Sequence, residues 1–268
     1  MLHRNASAED RGNPNRVPWT AQQTFRAVIL TLVPWIGFNL LLAAMGGNTP
    51  ITKPLSFSDD LAGAIITFIF TALIEGAFLL APLYYARKAV QYAQEAMQTG
   101  LRPVFKALGL RRFHVLRTLP WIVGLLLLIV GIDWLYGFAI TFYHLPVQTN
   151  DQVVLNAGKF EPVTAYALLA GSVIIAPFCE ELFFRGFVLP GLLKELSPLW
   201  AILISAALFA VAHADPGSFV PLFVIGLALG FLRLRSGSTW ASMSLHILNN
   251  LLSSVTIILA LHNINLPF

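Results

Sequence analysis

Apolar residues gather along this chain into long runs at about 25–46, 61–86, 119–141, 162–190, 199–213, 219–234 and 239–261, separated by shorter segments that hold most of the arginine and lysine. Runs of this kind approach or exceed the roughly 20 residues that a helix needs to cross a bilayer, and none alternates with the period of two seen in a membrane barrel. Lipid offers backbone N–H and C=O groups no partners, so each run is read as a helix. The pattern predicts an all-α fold: a polytopic transmembrane helical bundle of about seven spans, eight if one run divides, with a polar cavity inside the membrane.

Composition agrees with the pattern. The chain is 57% hydrophobic and 11% charged, against about 25% charged in a typical soluble domain, and its mean hydropathy is +0.73. Its 268 residues leave little beyond the spans, so no sizeable soluble domain is expected. The net charge of +4 does not point to nucleic acid, because the cations sit between the spans. The lone cysteine, Cys179, excludes an intrachain disulfide and a cysteine-based metal framework. It is read as a packing residue rather than a nucleophile.

Cation placement sets the orientation. Arg4, Arg11, Arg16, Arg26, Arg87, Lys88, Arg102, Lys106, Arg111, Arg112, Arg117, Lys194, Arg233 and Arg235 fall on one side of a seven-span arrangement; Lys53 and Lys159 fall on the other. The positive-inside rule then makes the N-terminus cytoplasmic and the C-terminus external. The first residues are charged and lack an apolar core, so they read as a tail at 1–24 rather than a cleavable signal, and the sequon at Asn5 is taken as chance. Residues 87–117 mix cations with Val90, Met97, Val104, Phe105 and Leu108, the composition of a segment lying in the cytoplasmic interface.

Against this apolar background three polar clusters stand out: Glu180, Glu181 and Arg185; Phe209 and His213; and His246 and Asn250. Ionisable groups at membrane depth are expensive, so by default they mark a site with partners nearby. Glu181 and Arg185 stand four apart on one helical face and can pair, while Glu180 points about 100° away. One acid is neutralised and the other presented, as a general base requires. Pro177 lies one turn earlier and removes a backbone donor. His213 and His246 suit acid–base work or metal ligation, and Asn250 can donate to an oxyanion.

Helical rise tests whether the clusters meet. Counted from Glu195 and Leu199, Glu180 and His213 lie about 22 Å and about 21 Å deep, whereas His246 lies only about 12 Å from Ser238. The first two agree; the third needs a tilted or more deeply started helix.

Glu-Glu-x-x-x-Arg, Phe-x-x-x-His and His-x-x-x-Asn, in that order on membrane spans, resemble the CPBP family of intramembrane proteases, which includes type II CAAX prenyl endopeptidases and bacterial relatives linked to bacteriocin processing or self-immunity. The likeness covers roughly residues 160–265. It implies a catalytic membrane core at 151–268, preceded at 25–150 by membrane helices with a basic loop. It further implies that Glu180 activates a water with help from His213, that His246 and Asn250 stabilise the oxyanion, and that Glu181 and Arg185 shape the site. A zinc-dependent variant, with His213, His246 and a glutamate as ligands, stands beside a metal-free one. Implied partners are a peptide or protein substrate, lipidated in eukaryotic relatives, and membrane lipids, with no nucleic acid. The location is a multi-pass membrane protein, in the plasma (inner) membrane if prokaryotic.

Other protease classes lack their signatures: no His-Glu-x-x-His, no Gly-x-Gly-Asp and no rhomboid Gly-x-Ser-Gly is present. Two non-proteolytic readings remain beside the protease, a non-catalytic immunity or scaffold protein and a proton-coupled transporter. Glu75 and Asp133 are further intramembrane acids, read first as hydrogen-bonded to neighbouring helices, and Gly226 and Gly230 mark a close helix crossing.

Overall fold

The structure, a computed structural model, describes residues 17–44, 54–92, 101–147, 149–159 and 161–264. The tail at 1–16 with its sequon, Lys53, the middle of the basic loop at 93–100 and the last four residues lie outside the described residues. The helices are α1 (Ala21–Ala44), α2 (Phe57–Gly76), α3 (Leu80–Tyr92), α4 (Arg102–Ala107), α5 (Val115–Phe142), α6 (Asn150–Gly158), α7 (Pro162–Glu181), α8 (Leu189–Leu192), α9 (Pro198–Ala212), α10 (Phe219–Ser236) and α11 (Thr239–Leu261). A 3-10 turn at Ala77–Leu79 joins α2 to α3, and a π-helical stretch at Leu182–Val188 joins α7 to α8. No strand occurs among the described residues.

This is a multi-pass integral membrane protein. Six helical stretches are long and apolar enough to cross a bilayer, and α9 is a seventh, shorter apolar helix. Large apolar side chains such as Leu116, Leu127, Trp134 and Phe138 face outward along α5, the reverse of a soluble surface, where contiguous apolar patches stay small.

α2 and α7 run parallel, and their register is set at the first turn of α7. There the buried Asp60 carboxylate accepts hydrogen bonds from the Val163 and Thr164 N–H groups, each at 2.9 Å, and from Thr164 Oγ1 at 2.8 Å. Those amides are unsatisfied donors of a helix start, and a carboxylate there also meets the positive end of the helix dipole. Further along, a Cβ on Gly171 would come within 3.1 Å of Thr71 Cγ2, so the absent side chain permits the close approach. From Asp60 to Glu75 and from Thr164 to Glu180 the rise is about 22 Å and about 24 Å, which brings both carboxylates to one level.

α9 and α10 form a tight antiparallel hairpin. A Cβ on Gly226 would sit 2.9 Å from the Ala206 Cα, and one on Gly230 would sit 3.2 Å from Ile202, consistent with the close crossing expected of this pair. With 15 residues, α9 rises only about 22 Å, short of the roughly 30 Å hydrocarbon thickness. The turn that follows is held by Tyr136 of α5, whose hydroxyl donates to the Gly217 carbonyl at 2.8 Å.

The segment expected on the interface is partly internal. Val104 and Leu108 are buried. The Leu108 carbonyl accepts from Thr239 Oγ1 at 2.8 Å, the Gly109 carbonyl accepts from the Thr239 N–H at 2.9 Å, and the Arg111 carbonyl accepts from Ser238 Oγ. The turn between α10 and α11 is thereby buried, with Ser238 and Thr239 at 0% exposure. α11 therefore begins beneath the 101–114 segment rather than at the protein surface.

Candidate active site

Glu180 and Glu181 end α7, and their neighbours differ sharply. Glu181 and Arg185 are fully buried, and Arg185 Nη1 donates to Glu181 Oε1 at 2.8 Å across one helical turn. Arg185 Nη2 donates to the Gly226 carbonyl at 3.1 Å, which ties the π stretch to α10. The guanidinium also lies over the Phe209 ring, 4.5 Å from its centroid. The arginine is thus held by an acid, a carbonyl and an aromatic face from three segments.

Glu180 points instead into a cavity of about 100 Å³ lined by Trp35, Glu75, Phe78, Glu180, Phe184, Ala212 and His213. That volume holds a few water molecules. Glu180 Oε1 lies 4.0 Å from His213 Nε2, and its Oε2 lies 3.7 Å from His246 Nε2. Side chains from three separate helical segments therefore converge on one carboxylate. His246 Nδ1 lies 3.4 Å from Glu181 Oε1, off the direction of a hydrogen bond, so this imidazole stands between the two acids.

Local structure explains the placement of His213. It caps the C-terminus of the short α9, and its Nδ1 bonds to the Phe209 carbonyl at 2.8 Å. A carbonyl only accepts, so Nδ1 carries hydrogen, and in the neutral ring Nε2 is the acceptor that faces Glu180. The Phe209 ring packs edge-on against both imidazoles, with centroid distances of 4.8 Å to His213 and 5.6 Å to His246. Phe209 is the wedge that spaces Arg185, His213 and His246.

The π stretch offsets the helix after the two acids. Its carbonyls leave the ordinary ladder: Phe184 accepts from the Leu189 N–H, and Phe187 accepts from Trp19 Nε1 at 3.1 Å. Pro190 has no N–H to continue an α-helical ladder back onto Gly186, a sequence sign of this irregularity. A Cβ on Gly186 would sit 2.8 Å from the Leu108 carbonyl, so glycine admits the 101–114 segment here.

Asn250 lies apart from the acids. Its amide nitrogen donates to the Ser172 carbonyl at 2.8 Å, two turns before Glu180 on α7, so it ties α11 to α7. Two residues not assigned to catalysis from sequence, Trp35 and Glu75, line the cavity; Asp133 lies on the exposed face of α5. Trp35 Nε1 donates at 2.6 Å to the carbonyl of Ala212, the residue before His213. Cys179 is buried in the core and free.

The residues do not fit a closed zinc site. Among the described residues no three His, Cys, Asp or Glu side chains are grouped to hold one ion. The separations of 4.0 and 3.7 Å around Glu180 are wider than the roughly 3.3 Å between donors on a tetrahedral zinc with bonds near 2.0 Å.

Residues 162–252 match the family model described as type II CAAX prenyl endopeptidase Rce1-like. A Bacillus subtilis (strain 168) protein named "Putative membrane peptidase YdiL" is 27% identical over 101 residues, covering 38% of this chain and 40% of that protein. An Escherichia coli protein named "Uncharacterized 24.3 kDa protein" is 32% identical over 132 residues, covering 47% of this chain and 58% of that protein. The chain thus spans about half the length of the curated relatives it matches. No solved structure matches. The likeness to CPBP-type membrane peptidases read from the three motifs is borne out on the stretch that carries Glu180, Glu181, Arg185, His213, His246 and Asn250.

Proposed function

We propose that this protein is an intramembrane endopeptidase that hydrolyses a peptide bond with a water activated by Glu180 and His213. One observation carries the reading: Glu180, His213 and His246 converge within 4.0 Å beside a water-sized cavity. A Glu180 carboxylate and the His213 Nε2 lone pair are both acceptors, too far apart for a direct hydrogen bond. A water donating one hydrogen to each fits between them. Its oxygen is then free to attack, and Glu180 takes the proton as the C–O bond forms.

His246 stands where a ring N–H can meet the developing oxyanion, supported from behind by Glu181. Asn250 spends one amide hydrogen on the Ser172 carbonyl and has a second to offer the oxyanion. Arg185 and Glu181 hold the frame. The scheme is metal-free, and no step runs through zinc. The substrate class is a membrane-associated peptide, lipidated or not, reached from a cytoplasmic face that also carries the N-terminus.

The test compares membranes carrying wild type and Glu180→Gln by mass spectrometry of released peptides. Products expected only with wild type support the peptidase; identical product sets with a folded Glu180→Gln protein overturn it. Chelation during the same assay, with metal analysis of the purified protein, is expected to leave cleavage unchanged. Loss on chelation with rescue by zinc would replace the metal-free scheme.

A further inference from the structure

Glu75 lies on α2, outside the stretch that matches the peptidase family, yet it lines the same cavity as Glu180 and His213. It is only 9% exposed, and its Oε2 has no hydrogen-bond partner among the described residues. The Oε2 of Glu180 is likewise without one. Around them the walls are Trp35, Phe78, Phe184 and Ala212, so the medium between the two acids is of low dielectric. Arg185, which follows on the next turn, is committed to Glu181 and to the Gly226 carbonyl. Two carboxyl groups facing one small cavity cannot both carry charge at modest cost, and one proton shared between them would relieve it.

The placement of Glu75 is built into the fold. The Asp60 carboxylate grips the first turn of α7 and sets the α2–α7 register, which delivers Glu75 to the height of Glu180.

We infer that Glu75 is the general acid of this site, protonating the leaving amine while Glu180 acts as base. This rests on the peptidase reading. In the first half, water loses a proton to the Glu180 carboxylate and its oxygen bonds to the scissile carbonyl carbon. In the second, the C–N bond breaks as nitrogen takes the Glu75 carboxyl proton. A cavity water then returns the proton from Glu180 to Glu75, leaving one acid and one amine product for each peptide bond and water consumed.

The test uses full-length protein in lipid nanodiscs and two probes: an internally quenched peptide with a farnesylated cysteine three residues before its C-terminus, and its ester counterpart at the bond after that cysteine. Alkoxide leaves with less protonation than an amine anion. Glu75→Gln is therefore expected to slow peptide cleavage by about 10²-fold or more while slowing the ester several-fold at most. Glu180→Gln should abolish both. Peptide turnover within twofold of wild type in Glu75→Gln, or equal losses on peptide and ester, overturns the proposal.

Infrared difference spectra of the same preparations provide a readout independent of the probes. A protonated-carboxyl C=O stretch is expected in wild type, retained in Glu180→Gln and lost in Glu75→Gln. If wild type cleaves neither probe but the spectra follow this pattern, the farnesyl-peptide substrate class is wrong and the proton-sharing pair stands. An unchanged stretch in Glu75→Gln overturns the pair itself.

Discussion

Two adjacent glutamates of one helix end live in opposite surroundings. Glu181 is locked in a dry knot with Arg185, the Gly226 carbonyl and the Phe209 ring, every member drawn from a different turn or helix. Glu180, one residue earlier, opens onto a small cavity beside two imidazoles and a second acid. The knot pairs an acid with an arginine out of reach of solvent; the cavity sets the other acid beside two imidazoles where water fits. The difference comes from the 100° between successive helical residues, and it separates what should destabilise the protein from what should silence it.

The largest expected effect breaks the wet side. Glu180→Gln keeps the shape and removes the base, so turnover should fall by about 10³-fold or more, equivalent to about 4 kcal/mol in the barrier. Thermal unfolding in detergent should stay at or above the wild-type temperature, because a buried acceptor lacking a partner is replaced by a neutral amide. A variant that both unfolds early and loses activity would merge the two sides of the comparison.

Breaking the dry side should do the reverse. Arg185→Leu strands the Glu181 carboxylate and the Gly226 carbonyl, with a stability loss of about 3–5 kcal/mol read from denaturant or thermal melts. The double variant Glu181→Leu/Arg185→Leu should recover much of that loss, since no uncompensated charge remains. If the double variant is no more stable than Arg185→Leu alone, the bond to Gly226 dominates over the ion pair.

How far these features could be read in advance depended on whether their causes are local. The spans follow from apolar run length, and the i, i+4 spacing of Glu181 and Arg185 foretells their contact. His213 is reached by counting helical rise, because α9 starts at a surface. The same count leaves His246 too shallow, because it assumes that Ser238 lies at a surface, whereas residues 101–114 cover that turn through Leu108, Gly109 and Arg111. Trp35 and Glu75 join the cavity through long-range bonds, Trp35 to Ala212 and Asp60 to the start of α7, which leave no periodic trace. Asp60 reads locally as a first-turn acid of its own helix. Only Pro190 hints at the π stretch.

A smaller perturbation addresses the segment that seals the dry side. At Gly186 a methyl group would meet the Leu108 carbonyl at 2.8 Å, a backbone atom with little freedom to move. Gly186→Ala should therefore cost about 1–3 kcal/mol, the usual penalty of overpacking. Its effect should reach activity through His246, since the displaced Leu108 carbonyl also holds Thr239 at the start of α11. A melt unchanged by Gly186→Ala would mean that the 101–114 segment yields freely and does not set the depth of α11.

The smallest effect expected lies at the joint between the N-terminal helices and the wet side. Trp35 donates to the Ala212 carbonyl and packs edge-on against Phe78, 4.8 Å between centroids, so α1 holds the end of α9 one residue before His213. Trp35→Phe retains an aromatic ring but loses the donor. The cost of one such bond is about 1 kcal/mol, or roughly fivefold in rate if it is felt wholly as misplacement of His213. Because the lost bond acts on the imidazole rather than on binding, the reduction should fall on kcat with KM little changed. A reduction confined to KM would instead make Trp35 a wall that the substrate touches, and would shift α1 from the support of the histidine to the lining of the substrate path.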